Sequence, residues 1–167
     1  GFFRLPVDRV FTKAGIGTIV TGTAWSGSVN VGEEVAIEPR GGVSRIREIQ
    51  SFDSSLESSE SSMRLALALH GVKKKDIDIG DQLVSPGKLE KTNMLDVQME
   101  MSSLPGSRIV NRQRLRFHHA AGEIMCRAVL IGPERLERGD RGFAQLRMEK
   151  PTVAMGGDRF VIRHYSP

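Results

Sequence analysis

Turn phrases rich in glycine punctuate this chain, and the segments between them show no convincing long amphipathic helix. Eighteen Gly and seven Pro are spread over 167 residues, and many fall in compact turn phrases: "KAGIG", "SGSVNVGE", "PRGGV", "GPERLERGDRG" and "PTVAMGGD". The segments between them carry apolar residues with period two, the repeat of a strand with one buried face. In "FRLPVDR" the apolar set is Phe3, Leu5 and Val7; in "MRLALAL" it is Met63, Leu65, Leu67 and Leu69. The pattern predicts strands near 2–12, 17–25, 34–38, 43–52, 63–70 and 82–85. A second series is predicted near 94–101, 113–119, 123–131, 141–149 and 158–164. Short strands at this spacing fit an all-β chain of two consecutive β-barrels.

The polar stretch "SPGKLEKTN", 85–93, is the best candidate linker. It sets the expected division at a first barrel over 1–87 and a second over 88–167. Charge divides along the same line: ten Lys and Arg against eleven Asp and Glu in the first part, fourteen against nine in the second. An excess of Arg, which forks onto phosphate, suits a polyanion such as RNA; it equally suits a solvated surface. "SFDSSLESSESS", 51–62, holds seven Ser and only two large apolar residues, Phe52 and Leu56. It is expected to be a mobile surface loop.

Several chemistries find no support. There is no G-x-x-x-x-G-K-[ST] phosphate loop, and the glycines of "GIGTIVTG" have no following helix to present an N-terminus. His118 and His119 are adjacent on a predicted strand and point to opposite faces, so they cannot easily share one ion. Cys126, the only cysteine, lies in the apolar run "EIMCRAVLI" and reads as a buried thiol rather than a nucleophile. A single cysteine also suits a reducing compartment. No apolar run approaches the ~20 residues of a membrane-spanning helix.

Two groups of residues stand out. Asp8 and Arg9 sit side by side in "LPVDRVF", and Arg64 precedes the small residues Ala66 and Ala68, which leave room around a guanidinium. Strict alternation would put Arg9 on the apolar face of Phe3, Leu5 and Val7 and Asp8 on the other. In "RLRFHHAAGE", Arg114, Arg116 and His118 share one strand face.

These residues lie inside longer phrases with a family likeness. "GIGTIVTGT…SGSVNVGEEV" resembles the start of the second domain of translational GTPases, and "LALALHGVKKKDIDIGDQLVSPG" resembles its end. "RFHHAAGEIMCRAVLI" through "GDRFVIRHYSP" is similar to the third domain. "FRLPVDRVF", "MRLAL" and "FHHAAGE" resemble the selenocysteine-specific elongation factors within that superfamily. The resemblance covers nearly the whole chain, with 51–62 and 102–112 the weakest parts. This chain departs from the family at "SSMR", where an "A-G-x-R" phrase is usual.

The resemblance implies that the chain is part of a longer translation factor that binds selenocysteyl-tRNA and delivers it, with GTP, to the ribosome at recoded UGA codons. By matching position, Asp8, Arg9 and Arg64 would line the selenocysteine pocket, and Gln50 would lie at the tRNA 3′ end. Arg116, His118, His119 and Arg163 would meet the tRNA arm. No catalytic residue, metal or cofactor is expected in this stretch. GTP and Mg would belong to a GTPase domain before Gly1, itself a partner of these barrels, and the mRNA hairpin would be read by domains after Pro167. A cytoplasmic location and no membrane contact are implied. The barrels of another translational GTPase, or a protein–protein scaffold, are the alternatives.

Overall fold

The computed structural model describes residues 1–165, and these are all-β apart from one 3-10 turn at Lys74–Asp76. It forms two compact units. The first comprises 1–91 with 119–122 and 153–158; the second comprises 92–118, 123–152 and the segment from Arg159 onward.

The first unit contains β1 (Arg4–Pro6), β2 (Arg9–Lys13), β3 (Gly17–Thr23), β4 (Glu34–Glu38), β5 (Val43–Ser51), β6 (Ser54–Leu56), β7 (Arg64–Leu69) and β8 (Gln82–Val84). Their order is β1-β8-β4-β5-β7-β3-β2, with β6 paired to β5. Main-chain bonds close the barrel: the Arg4 N–H donates to the Ser26 carbonyl (3.1 Å), and the Trp25 N–H donates to the Arg4 carbonyl (2.7 Å). β1 therefore meets β8 on one side and the chain leaving β3 on the other. The alternating residues read from sequence fill the interior, where Phe3, Leu5, Val7, Val20, Ile46, Ile49, Leu65, Leu67 and Leu83 are buried.

The single strand expected over 2–12 is two strands. Pro6 has no N–H to donate, and the next two residues change partners: the Val7 N–H donates to the Asp81 carbonyl (2.8 Å) and the Asp8 N–H to the Thr21 carbonyl (2.9 Å). The break resets the alternation, so Arg9 is exposed rather than facing the core.

Residues 51–62 form ordered structure in place of the expected mobile loop. Serine hydroxyls stand in for missing ladder bonds. The Ser51 hydroxyl donates to the Arg64 carbonyl (2.8 Å). The Ser59 hydroxyl accepts from the Val29 N–H (3.0 Å), with Ser59 buried.

Gly22 shows why one glycine of "GTIVTG" has to be a glycine. A Cβ there would stand 2.2 Å from the Pro6 carbonyl oxygen and 2.8 Å from Leu5 Cδ2. Gly22→Ala must push β1 off β3. It is expected to cost roughly 1–3 kcal/mol, read as a lower urea midpoint with an unchanged slope.

The second unit contains β9 (Thr92–Glu100), β10 (Arg108–Val110), β11 (Arg114–His119), β12 (Gly122–Leu130), β13 (Arg135–Glu137), β14 (Arg141–Thr152) and β15 (Val161–His164). Five strands form a sheet in the order β15-β11-β12-β14-β9, and β10 pairs with β13. Met99, Ile109, Leu115, Phe117, Cys126, Ala128, Leu136, Leu146 and Met148 make its core. Burial pushes the Cys126 thiol up to about 11, which keeps it protonated and unreactive at neutral pH.

Candidate functional site

In the first unit, strand register assembles a row of side chains on the outer face. Gln50 on β5 stands opposite Ala66 on β7. Ala66 stands opposite Thr21 on β3, and Thr21 opposite Arg9 on β2. Directly opposed residues share a face, so Gln50, Ala66, Thr21 and Arg9 form one row. Arg64 lies two residues before Ala66 and therefore on the same face.

Asp8, in the break between β1 and β2, turns into this row. Arg64 Nη1 donates to Asp8 Oδ2 (2.6 Å) and Nη2 to Oδ1 (3.0 Å), a forked pair. Thr21 Oγ1 donates to Asp8 Oδ1 (2.8 Å) and accepts from Arg64 Nη2 (3.3 Å). The hydrogen bond from Arg64 holds the Asp8 carboxyl below the usual carboxylate range, and the same bond raises Arg64. Asp8 is thus ionised throughout the neutral range.

Arg9 is exposed, with its guanidinium carbon 4.8 Å from the Phe11 ring centroid. It has no carboxylate partner among the described residues. With Asp8 and Arg64 neutralising one another, Arg9 leaves the row with one uncompensated positive charge. Sequence reasoning missed Thr21, because an alternating Thr in a strand carries no signal until its cross-strand neighbours are known.

In the second unit, β11 alternates as expected. Leu115, Phe117 and His119 point inward; Arg114, Arg116 and His118 point outward. Arg163 on β15 is directly opposite Arg116, and Arg127 on β12 is directly opposite Arg147 on β14. Opposed like charges are destabilising, so a sheet holding two such pairs presents a face suited to anions. Arg114 and Arg116 both lie over the Tyr165 ring, at 4.9 and 5.6 Å.

The buried atoms Arg116 Nε and His118 Nε2 have no hydrogen-bond partner. A recess of about 620 Å³ is lined by Arg112, Arg114, Arg127, Val129, Arg147 and Glu149. Glu149 takes both donors of Arg114 (2.8 and 2.9 Å) and is held below the usual carboxylate range by that bond. The meeting of Arg127 with Arg147 was not foreseen, since it depends on the register of strands distant in sequence.

His119 departs from the expected set. It is 6% exposed and faces inward, with Nε2 donating to Asp158 Oδ2 (2.8 Å). Its side chain serves the interior of the first unit, not the face shown by Arg116 and His118. The same Asp158 carboxylate accepts both terminal nitrogens of buried Arg4, at 2.7 and 2.6 Å. Arg4 Nε donates to Gln82 Oε1 (2.8 Å). Trp25 packs edge-on to the His119 ring at 5.6 Å.

Among the described residues no group of three or more His, Cys, Asp or Glu could hold a metal ion. Among the described residues, no helix is long and apolar enough to cross a membrane.

Two barrels of this kind define a module of the translational GTPases. The model for elongation factor Tu domain 2 matches residues 17–84. The model for the β-barrel domain of selenocysteine-specific elongation factor matches residues 95–167. The chain is similar to the selenocysteine-specific elongation factor of Desulfomicrobium baculatum, at 36% identity over 99% of this chain and 26% of that protein. Those of Haemophilus influenzae and Escherichia coli are 30% identical over 96% and 98% of this chain, each match covering 25% of the relative. The chain belongs to the selenocysteine-specific elongation factor family. It spans about a quarter of the length of the curated relatives it matches.

Proposed function

We propose that this chain is the tRNA-binding part of a selenocysteine-specific elongation factor, holding selenocysteyl-tRNA for GTP-dependent delivery to the ribosome at recoded UGA codons. The observation that carries the reading is the convergence of Asp8, Arg9 and Arg64 on one barrel face, with Arg64 forked onto Asp8. A selenol ionises at neutral pH, whereas the serine hydroxyl does not. Arg9 and Arg64 offer donors that remain charged, and Asp8 with Thr21 sets the direction of one of them. The terminal nucleotide lies by Gln50. The RNA backbone follows Arg116, His118 and Arg163, where Arg116 and Arg163 stand directly opposite one another, and extends toward Arg127 and Arg147. GTP binding and hydrolysis, with Mg, belong to a separate domain of the longer protein, and this stretch performs no catalysis itself. Its other partners are the ribosome and that GTPase domain. The mRNA hairpin is met elsewhere in the longer protein, and the work is done in the cytoplasm.

The test is the affinity of the full-length protein with GTP for selenocysteyl-tRNA and for seryl-tRNA. A strong preference for the selenocysteyl form is expected. Equal affinities would reject the selenocysteine reading, and affinity for neither would reject tRNA binding.

The basic face has its own test. Phosphate contacts make affinity fall as salt rises, with a slope of roughly 0.7–0.9 log units per contact. Arg116→Ala with Arg163→Ala is expected to flatten the slope by one to two contacts' worth and to leave the preference between the two charged tRNAs intact. An unchanged slope would remove this face from the RNA path.

A further inference from the structure

The recess on the second unit is lined by Arg112, Arg114, Arg127, Arg147 and Glu149, together with Val129. Arg114 and Glu149 satisfy one another through their forked bond. Three arginines are left, Arg112, Arg127 and Arg147, and none of them forms an ion pair among the described residues.

Neutral groups fix where these arginines point. Arg127 Nη1 donates to the Arg112 carbonyl (2.9 Å), and Arg147 Nε donates to Gln145 Oε1 (3.1 Å). Each bond orients a guanidinium without neutralising it. Arg112 has φ +67°, a left-handed conformation that disfavours any residue with a Cβ, and its N–H donates to the Ala128 carbonyl at 2.8 Å. Arg127 and Arg147 are also directly opposite one another on β12 and β14. Opposed residues have Cα atoms about 4.5–5.5 Å apart. Two like charges held there destabilise the sheet unless an anion bridges them.

The charge and shape of that anion follow from the recess. One phosphate group carries about −1.5 to −2 at neutral pH, too little for three arginines; two linked groups match them. Consecutive phosphates of a polynucleotide are separated by a sugar and run along a surface. Those of a diphosphate share one oxygen and enter a single recess together. The volume, about 620 Å³, falls within the roughly 300–1,000 Å³ of small-ligand pockets.

We infer that this recess is a binding site for the diphosphate group of a small free ligand, gripped by Arg112, Arg127 and Arg147. The inference goes beyond the tRNA reading and needs no bound RNA.

The probe is inorganic pyrophosphate, titrated by calorimetry into full-length protein with GDP in excess, so that the GTPase domain is already filled. Wild type is expected to bind it at least about tenfold more tightly than inorganic phosphate or sulfate at equal ionic strength. Arg127→Gln with Arg147→Gln is expected to weaken pyrophosphate binding by about 10- to 100-fold. The same variant relieves the opposed charges and should keep or raise Tm, so loss of folding cannot mimic the result. Glu149→Gln frees Arg114 and is expected to tighten binding. Equal binding of pyrophosphate, phosphate and sulfate, or pyrophosphate binding that survives the double substitution, would overturn the inference. Absence of pyrophosphate binding would overturn it as well. If the double variant then flattened the salt dependence of tRNA affinity, these arginines would belong to the RNA path, and the tRNA reading would be spared.

Discussion

Arg64→Ala is expected to reduce the preference for selenocysteyl-tRNA over seryl-tRNA by about ten- to hundredfold, with little change in stability. The size follows from a hydrogen bond to an ionised group, roughly 1.5–3 kcal/mol, which the serine hydroxyl cannot match. The small effect on folding follows from exposure. Arg64 and Asp8 side chains are 54% and 36% exposed, and a surface pair of this kind contributes about 0–1 kcal/mol. Arg64→Lys should recover part of the preference, since an ammonium keeps the charge and loses the fork. Asp8→Asn should leave Arg64 charged without a fixed direction, lowering the preference less and raising affinity for unrelated anions. Because the Arg64 bond holds Asp8 ionised well below neutrality, the protein side of this pair stays constant between about pH 5 and 8. A change in preference within that range would therefore come from the ligand's selenol. Arg64→Ala with an undiminished preference would remove this row from selenocysteine recognition.

Asp158→Ala is expected to be the most damaging single change to stability. It removes both acceptors from Arg4, which is 2% exposed, and leaves a buried guanidinium with Gln82 Oε1 and the face of Trp25. Stranding a buried charge costs about 3–5 kcal/mol. In a chain of this size that corresponds to a fall in Tm of about 6–20 °C. Replacing Arg4 by Met in the same variant should restore much of the loss, because the stranded charge is then gone.

The same cluster sets the acid limit. Burial alone would raise the Asp158 carboxyl. The hydrogen bonds from Arg4, His119 and the Met155 N–H outweigh it and leave the group lowered. Its contribution is therefore complete above the unfolded Asp value, about 3.9, and is lost as pH falls through the lower folded value. His119 is lowered chiefly by burial, against the raising effect of Asp158. The unfolded chain thus takes up a proton at about pH 6.5, before the folded chain does, and stability declines below that point. Urea midpoints between about pH 3 and 8 should show two stages, and His119→Gln should remove only the upper one. A single stage at about pH 4 would show that His119 titrates alike in both states.

Sequence patterns exposed much of the fold because their rules are local. Alternation in "MRLALAL" placed Leu65, Leu67 and Leu69 in the core but missed that Ala68, of the opposite set, is buried as well; in "RLRFHH" it separated core from surface residues, including the opposite facing of His118 and His119. The same rule failed over 2–12, where Pro6 ends one set of pairings and Val7 and Asp8 begin another. It also failed over 51–62, where low apolar content suggested a mobile loop and serine hydroxyls in fact bond the main chain.

By itself, then, the sequence determined the all-β class, the family and the identity of the charged residues in the outer row. Period-two patterning and turn chemistry are written in neighbouring residues, and the family phrases are contiguous. Only the tertiary structure decided which distant residues meet. Asp8, Thr21 and Arg64 come from three separate parts of the chain. Arg127 faces Arg147, and Arg116 faces Arg163, through register across strands. Arg4 finds Asp158 across 154 positions. Register is fixed by turn geometry and by which faces can be buried together, and those conditions are satisfied only when the barrel closes.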